Sequence, residues 1–226
     1  MHCDPHVEGK PWPYAPRVIL KSVLAEAAEM GLEINVGAEI EYFLVNKDEN
    51  GSLRTADALD TSRQPCYDAR DVTRMYEHLT SISAAMNRLG WGNYANDHED
   101  GNGQFEQNFN YADALTTADR VVTLRYLISV LAEQRGMTAT FMPKPFADRT
   151  GSGMHMHLSL WSDGNSTFPP DTSDPPAASA CRRPPIRSSP ASSTMRAHCK
   201  ASSPPRPSTR TSARERPRRV PAPPGR

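Results

Sequence analysis

The sequence predicts an α+β fold in which pairs of β-strands are separated by helices. Segments with a helical spacing of apolar residues alternate irregularly with β-rich segments, without the regular β-α-β succession of a doubly wound sheet. This pattern stops after residue 161 and gives way to a stretch rich in Pro, Ser and Arg. We therefore expect one α+β domain over residues 1–168 and a separate tail over residues 169–226.

The first half of the predicted domain has one long strand between two helices. Residues 16–31 begin with Pro16 and end with Gly31, residue types that commonly start and stop helices. Residues 34–46 are rich in β-branched and aromatic side chains and are followed by a turn sequence. A second helix before Gly90 is predicted from apolar residues at helical spacing: Met75, Tyr76, Leu79, Ile82, Met86 and Leu89.

The second half has short strands around a third helix. Residues 91–100 and 103–109 indicate two strands joined by a glycine turn. Residues 113–135 predict a helix that buries one aliphatic face, made of Leu124, Leu127, Ile128 and Leu131. Strands are predicted near residues 138–141 and 153–161, with a loop between them.

Charge and composition exclude several classes of protein. Lys and Arg balance Asp and Glu, 26 against 26, which argues against a nucleic-acid binder that depends on net positive charge. No run of 18 apolar residues predicts a membrane span, and the start lacks the basic and apolar regions of a signal peptide. The four cysteines show no CxxC spacing. We expect a soluble cytoplasmic protein.

The tail has a composition of its own. Residues 162–226 carry 12 Lys and Arg against 4 Asp and Glu, and they contain 14 of the 21 prolines. Beyond Phe168 there is neither an aromatic residue nor a leucine. Such a segment buries too little apolar surface to offset its ordering entropy, so disorder is predicted. The composition fits an interaction arm, a linker, or the out-of-frame translation of a GC-rich gene.

Two carboxylates in an apolar strand form the first candidate site. The period of two in a strand places Glu39 and Glu41 on one face. They are either a solvent-facing stripe or part of a cation site. Two such charges repel each other by roughly 4 kcal/mol at about 4 Å and an effective dielectric of about 20. A divalent cation would offset this repulsion.

Further donor side chains occur on later strands. Glu99 and Glu106 flank a glycine turn, which would otherwise be a polar hairpin loop. The predicted strand 153–161 places His155, His157 and Ser159 on one face. Carboxylates with one imidazole suit Mg²⁺ or Mn²⁺, whereas two histidines with a distal glutamate would fit a cupin-type transition-metal site.

The loop before this strand contains two glycines around a serine. Gly151 and Gly153 flank Ser152, and glycines allow backbone N–H groups to approach a ligand closely. A carboxylate-rich cation site beside such a loop favours phosphoryl chemistry.

Four motifs resemble, in order and spacing, those of the glutamine synthetase family. They are Gly37-Ala38-Glu39-Ile40-Glu41-Tyr42-Phe43, His98-Glu99 with Gln104-Phe105-Glu106, Met142-Pro143-Lys144-Pro145, and Gly151-Ser152-Gly153-Met154-His155-Met156-His157. The similarity covers about residues 3–161. Asn96-Asp97-His98-Glu99 and Asp148-Arg149-Thr150-Gly151 resemble the branch of type III-like glutamate–ammonia ligases and γ-glutamylmethylamide synthetases.

The resemblance implies a catalytic domain with a curved antiparallel sheet flanked by helices. It also implies ATP-dependent formation of the γ-amide of glutamate through γ-glutamyl phosphate, with ammonia or methylamine as acceptor. Two Mg²⁺ or Mn²⁺ sites are implied, one held by Glu41, Glu99 and Glu106 and the other by Glu39 and His155. His157 and Ser159 would contact ATP. The Gly151 backbone would face glutamate, and Thr150 stands where the family commonly has an asparagine.

The resemblance also predicts that the domain is incomplete. The β-grasp domain that precedes the catalytic region in this family is missing from the match, which leaves the family's homo-oligomeric ring doubtful for this chain. The tail is expected to be out of frame from about residue 177, and the polypeptide to be truncated and inactive. We also expect exposed edges on strands 39–45 and 155–161. An alternative of another class is a non-catalytic metal-binding domain with a basic interaction tail.

Overall fold

The computed structural model describes residues 2–168. The predictions made for residues 169–226, a disordered and out-of-frame tail, lie outside the described residues. Within residues 2–168, four helices are present: α1 (Pro16–Glu29), α2 (Ala69–Arg74), α3 (Tyr76–Arg88) and α4 (Ala114–Glu133). None of these helices combines the length and the apolar character that a membrane crossing requires.

Ten strands accompany the helices in this part of the chain. They are β1 (His6–Val7), β2 (Lys10–Pro11), β3 (Glu33–Lys47), β4 (Leu53–Thr55), β5 (Asn93–His98), β6 (Gln104–Phe109), β7 (Ala112–Asp113), β8 (Thr138–Thr140), β9 (Met154–Ser162) and β10 (Asn165–Ser166). β1 and β2 form a small hairpin, and the other eight strands form one antiparallel sheet. The α+β prediction is confirmed.

The 15-residue strand β3 organises the sheet. One of its edges pairs with β9 and then with β8, and the other edge pairs with β7, β6 and β4. The expectation of an exposed edge along residues 39–45 was therefore wrong. β6 pairs with residues 39–43 on one edge, and β9 and β8 pair with residues 39–40 and 43–45 on the other. For β9 the expectation agrees with the described residues, since only Trp161 and Ser162 pair with β10 on its outer edge.

Alternation along β3 separates the core from the other face of the sheet. Ala38, Ile40, Tyr42 and Leu44 are buried in the main core. α3 adds Leu79, Ile82 and Met86, and α4 adds Leu124, Ile128 and Ala132. The alternate positions Glu39 and Glu41 therefore project from the face that the helices do not cover.

Two details of the predicted helices differ from the structure. Tyr76 and Leu89 are 62% and 55% exposed, because they lie at the ends of α3, outside the segment that packs into the core. The short helix α2 was not predicted. It begins after Asp68, whose side chain accepts a hydrogen bond from the Arg70 backbone N–H, as an N-cap does.

Candidate active site

The strand register collects acidic side chains on the face opposite the helices. Glu41 lies opposite Glu106 on β6, and Glu106 lies opposite Asp97 on β5. On the other edge of β3, Glu39 lies opposite His155 of β9. Residues directly opposite each other on paired strands point to the same side of the sheet. Five ionisable side chains from four strands thus share one surface.

Glu39 is bracketed by two histidines. Its Oε2 lies 3.0 Å from Nδ1 of His155, and its Oε1 lies 2.7 Å from Nε2 of His157. The histidines come from β9 two residues apart, so the alternation of that strand turns both towards Glu39. The prediction that His155 and His157 share a face agrees with this register.

One group of donor atoms is compact enough to surround a metal ion. Ligand atoms of Glu39, Glu106 and His155 all lie within 4.8 Å of one another. The sequence resemblance had divided these residues between two sites, with Glu106 beside Glu41 and Glu99. In the structure, Glu106 lies opposite Glu41 and also close to Glu39 and His155.

Burial and mutual repulsion perturb two of the carboxyl groups. Burial raises the pKa of Glu106 to about 7, and the neighbouring carboxylates of Glu39, Glu41 and Asp97 add to the rise against a hydrogen bond from Asn108. Burial also raises the pKa of Glu99 to about 7, and the charges of Glu106 and Glu41 add to the rise. Burial and the excess negative charge on this face therefore favour bound protons, and a divalent cation would replace them.

The chemistry of the donor set fits a hard divalent cation. It consists of carboxylate oxygens with one imidazole nitrogen within reach, a set that suits Mg²⁺ or Mn²⁺. Asp97 belongs to the same surface, and burial with the charge of Glu39 raises its pKa. It had not been singled out as a site residue, although its position two before Glu99 could have indicated a shared face.

The loop that precedes β9 is fixed against Glu41. The Gly153 N–H donates to Oε2 of Glu41 at 2.9 Å, and the Ser152 N–H donates to the Pro143 carbonyl at 2.9 Å. A Cβ atom at Gly151 would lie 2.5 Å from the Pro143 carbonyl oxygen, so this position excludes a side chain. Gly151 therefore allows the loop to pack closely against Pro143.

Two hydroxyl groups predicted to contact substrates have protein partners. The Thr150 hydroxyl donates to the side-chain oxygen of Gln104 at 2.9 Å. The indole N–H of Trp161 donates to the Ser159 hydroxyl oxygen at 2.9 Å. Ser159 can still donate its own proton, whereas the proton of Thr150 is committed to Gln104.

A buried ion pair supports the strand end that carries Glu99. Nε2 of His98 lies 2.9 Å from Oδ2 of Asp60, and Nδ1 lies 2.8 Å from the Glu99 carbonyl oxygen. Both nitrogens face acceptors, so both carry protons. Burial alone would lower the pKa of His98, but the bonds to Asp60 and Glu99 raise it above its usual value. This pair could not be predicted from local patterns, because Asp60 lies 38 residues away from His98.

Comparison with known proteins identifies the family. The sequence model described as the glutamine synthetase catalytic domain matches residues 13–184. The chain belongs to the glutamine synthetase family. It is 46% identical over 155 residues to the glutamine synthetase of Rhizobium meliloti strain 1021. The aligned segment makes up 69% of this chain and 35% of that protein.

Other relatives in the glutamine synthetase family carry a different name. A glutamate–methylamine ligase of Methyloversatilis universalis is 40% identical over 172 residues, 76% of this chain and 38% of that protein. A solved structure titled as a GmaS/ADP complex superimposes with a TM-score of 0.71 at 48% identity, covering 75% of this chain and 39% of the other. The chain thus spans somewhat more than a third of the length of these relatives.

Proposed function

We propose that this site belongs to an ATP-dependent ligase that forms the γ-amide of glutamate from glutamate and ammonia. The observation that carries the proposal is the donor group of Glu39, Glu106 and His155 on the open face of a glutamine synthetase family sheet. The chain covers about a third of its curated relatives, so the reaction is proposed for the protein to which this site belongs.

The proposed reaction has two steps. An oxygen of the glutamate γ-carboxylate attacks the γ-phosphorus of ATP, and the bond to ADP breaks with its electron pair on ADP. The nitrogen of ammonia then attacks the γ-carbonyl carbon, phosphate leaves with the electron pair of the broken C–O bond, and the nitrogen loses one proton. Both steps bring anionic groups together, which favours a site that supplies positive charge.

The side chains on the sheet face would hold the cations. Glu41, Glu99 and Glu106 form one proposed ligand set, and Glu39 with His155 forms the other. Bound Mg²⁺ or Mn²⁺ would offset the charge of the phosphates and of the glutamate carboxylate. Burial raises the pKa of Glu99 and Glu106 to about 7 and the neighbouring carboxylates add to the rise, which is consistent with several carboxylates gathered on one face.

The substrates would lie over the same face. His157 is 44% exposed beside Glu39, and Ser159 follows it along β9, so both are suited to contact ATP. The Gly151 backbone belongs to the loop that the Gly153 N–H joins to Glu41, which makes it suited to contact glutamate. Thr150 would contribute through its backbone, because its hydroxyl is bound to Gln104.

Methylamine is the second candidate acceptor. The similarity to a glutamate–methylamine ligase and to the GmaS structure favours it, at 40% and 48% identity. Ammonia and methylamine differ by one methyl group, so the cation and phosphate chemistry is the same for both.

A binding and turnover experiment on the full chain tests the proposal. We expect ADP to bind in the presence of Mn²⁺, and Glu39→Gln to abolish this metal-dependent binding. Nucleotide binding that needs neither Mn²⁺ nor Glu39 would contradict the assignment. Phosphate release from ATP and glutamate, measured with ammonia or methylamine, identifies the acceptor. Turnover by this polypeptide would also refute the sequence-based prediction that it is inactive. The cytoplasmic location stays a prediction, and so does the expectation that the family's oligomeric ring is doubtful for this chain.

A further inference from the structure

Gln104 lies where three parts of the candidate site meet. It begins β6 and is only 1% exposed, although its side chain is polar. Its amide nitrogen donates to Oε2 of Glu41 at 2.9 Å and to the Gly151 carbonyl at 3.2 Å. Its amide oxygen accepts from the Gly101 N–H at 3.0 Å and from the Thr150 hydroxyl at 2.9 Å.

These partners fix the orientation of the amide. The Gly101 N–H can only donate, so it must face the amide oxygen. The Gly151 carbonyl can only accept, so it must face the amide nitrogen, which also donates to Glu41. A buried amide with a full set of hydrogen-bond partners has one favourable orientation, and that orientation also restricts the positions of its partners.

Gln104 thus connects Glu41, a proposed cation ligand, to the glycine loop, which is the name used here for residues 150–153. Oε2 of Glu41 accepts from Gln104 and also from the Gly153 N–H. Both bonds occupy the same oxygen, so Oε1 is the atom that Glu41 can offer to a cation. The glycine loop is held to Gln104 through Thr150 and Gly151, 46 and 47 residues away in sequence.

We propose that Gln104 is a positioning residue that holds both the rotamer of Glu41 and the position of the glycine loop. Cation binding and the loop conformation then both depend on the side-chain amide of Gln104. This inference rests on the proposed function for the role of Glu41 as a cation ligand. Side chains that hydrogen bond to metal ligands commonly change metal affinity by about 10- to 100-fold when they are replaced.

β6 supplies a matched control. Gln107 is the same residue type on the same strand and is fully buried, but its amide nitrogen donates to the Tyr42 hydroxyl at 3.2 Å. It lies on the core face of β6, and within residues 2–168 its side chain hydrogen bonds neither to Glu41 nor to the glycine loop. Gln107→Met therefore reproduces the loss of a buried amide from β6 without the connection to the site.

The experiment compares the full chain with Gln104→Met, Gln104→Glu and Gln107→Met. Mn²⁺ affinity is measured by electron paramagnetic resonance, and amide hydrogen exchange is measured at Ser152 and Gly153. We expect Gln104→Met to weaken Mn²⁺ binding by about tenfold or more, in line with the effect of such partners in other metal sites. Gln104→Glu should weaken it further, because a carboxylate would then face Oε2 of Glu41. Both variants should speed exchange at Ser152 and Gly153.

Each outcome decides the question. Gln107→Met should lower the thermal midpoint while leaving Mn²⁺ affinity and loop exchange as in the unsubstituted chain. Unchanged loop exchange in Gln104→Met would overturn the inference, and so would equal losses of affinity in Gln104→Met and Gln107→Met. If the unsubstituted chain binds no Mn²⁺, the proposed function fails. The amide exchange rates at Ser152 and Gly153 still show whether Gln104 holds the glycine loop in place.

Discussion

Glu39 and His155 lie opposite each other on β3 and β9, with Oε2 of the carboxylate 3.0 Å from Nδ1 of the imidazole. The contact joins residues 116 positions apart. It forms because the first half of β3 pairs along its length with β9, which turns both side chains to the same face. A cation that both atoms ligate would lie between them.

Replacing Glu39 tests this relationship. Glu39→Gln removes the charge from the compact donor group, so we expect a loss of Mn²⁺ affinity of at least about tenfold, the scale of a change that costs 1.4 kcal/mol. Isothermal titration calorimetry with MnCl₂ measures it. Glu33→Gln is the control, because Glu33 is an exposed carboxylate on the same strand. Equal affinity losses in both variants would show that only general surface charge matters.

The pH dependence of stability tests the raised pKa values. Folding lifts the pKa of Glu99 and Glu106 from 4.5 to about 7, so the folded state binds more protons than the unfolded state between these values. Stability therefore falls as pH rises from about 4.5 to about 7, and levels off above that. In EDTA, we expect the thermal midpoint to drop between about pH 5.5 and 7.5, and to drop less in Glu106→Gln. A midpoint that rises over this interval in the unsubstituted chain would contradict the assignment.

Saturating Mn²⁺ should reverse that pH effect. The cation competes with the protons on Glu99 and Glu106, so its affinity should increase as pH rises through about 7. Thermal unfolding with and without MnCl₂ at pH 6 and pH 8 measures the difference, which should be larger at pH 8. A stabilisation that is independent of pH would place the bound cation elsewhere.

The buried pair of Asp60 and His98 should dominate local stability. Their side chains are 1% and 0% exposed, and removing one partner of such a pair costs about 3–5 kcal/mol of unfolding free energy. Asp60→Asn should show this loss in urea unfolding. Asp148→Asn is the control, since Asp148 is 81% exposed and 3.9 Å from Arg149, and exposed pairs contribute about 0–1 kcal/mol. Similar losses in the two variants would contradict the burial argument.

Gly151→Ala tests the close packing of the glycine loop. The added Cβ would lie 2.5 Å from the Pro143 carbonyl oxygen, so the backbone at Gly151 or at Pro143 must shift. We expect faster amide exchange at Gly153 and weaker Mn²⁺ binding. At Gly37 the nearest atoms to an added Cβ are 3.7 Å away, so Gly37→Ala should leave the loop unchanged. Unchanged exchange in Gly151→Ala would show that the loop accommodates the methyl group.

Local patterns were sufficient for the main elements and for much of the site. Alternation within β3 placed Glu39 and Glu41 on one face, and alternation within β9 did the same for His155 and His157, in agreement with the strand register. The helices of residues 16–31 and 113–135 were predicted within a few residues of α1 and α4. Periodicity and end signals are properties of short segments, so a single sequence is enough to show them.

Relationships between distant segments could not be predicted in this way. The bonds of Gln104 to the glycine loop, and of His98 to Asp60, join residues 38 to 47 positions apart and follow from how the strands are arranged. The strands β4 and β7, which complete the pairing of β3, are three and two residues long and are too short to show a period. The position of Glu106 between the two expected cation sites also depends on the register of β6 against β3.

A Mn²⁺ titration of the full chain at pH 8, followed by electron paramagnetic resonance, tests the central claim most directly. The account predicts saturable binding that EDTA reverses, that disappears at pH 5 when Glu99 and Glu106 are protonated, and that Glu39→Gln weakens while Glu33→Gln does not. Weak binding without saturation, or saturable binding that is the same at pH 5 and in Glu39→Gln, would contradict a divalent cation site on this face of the sheet.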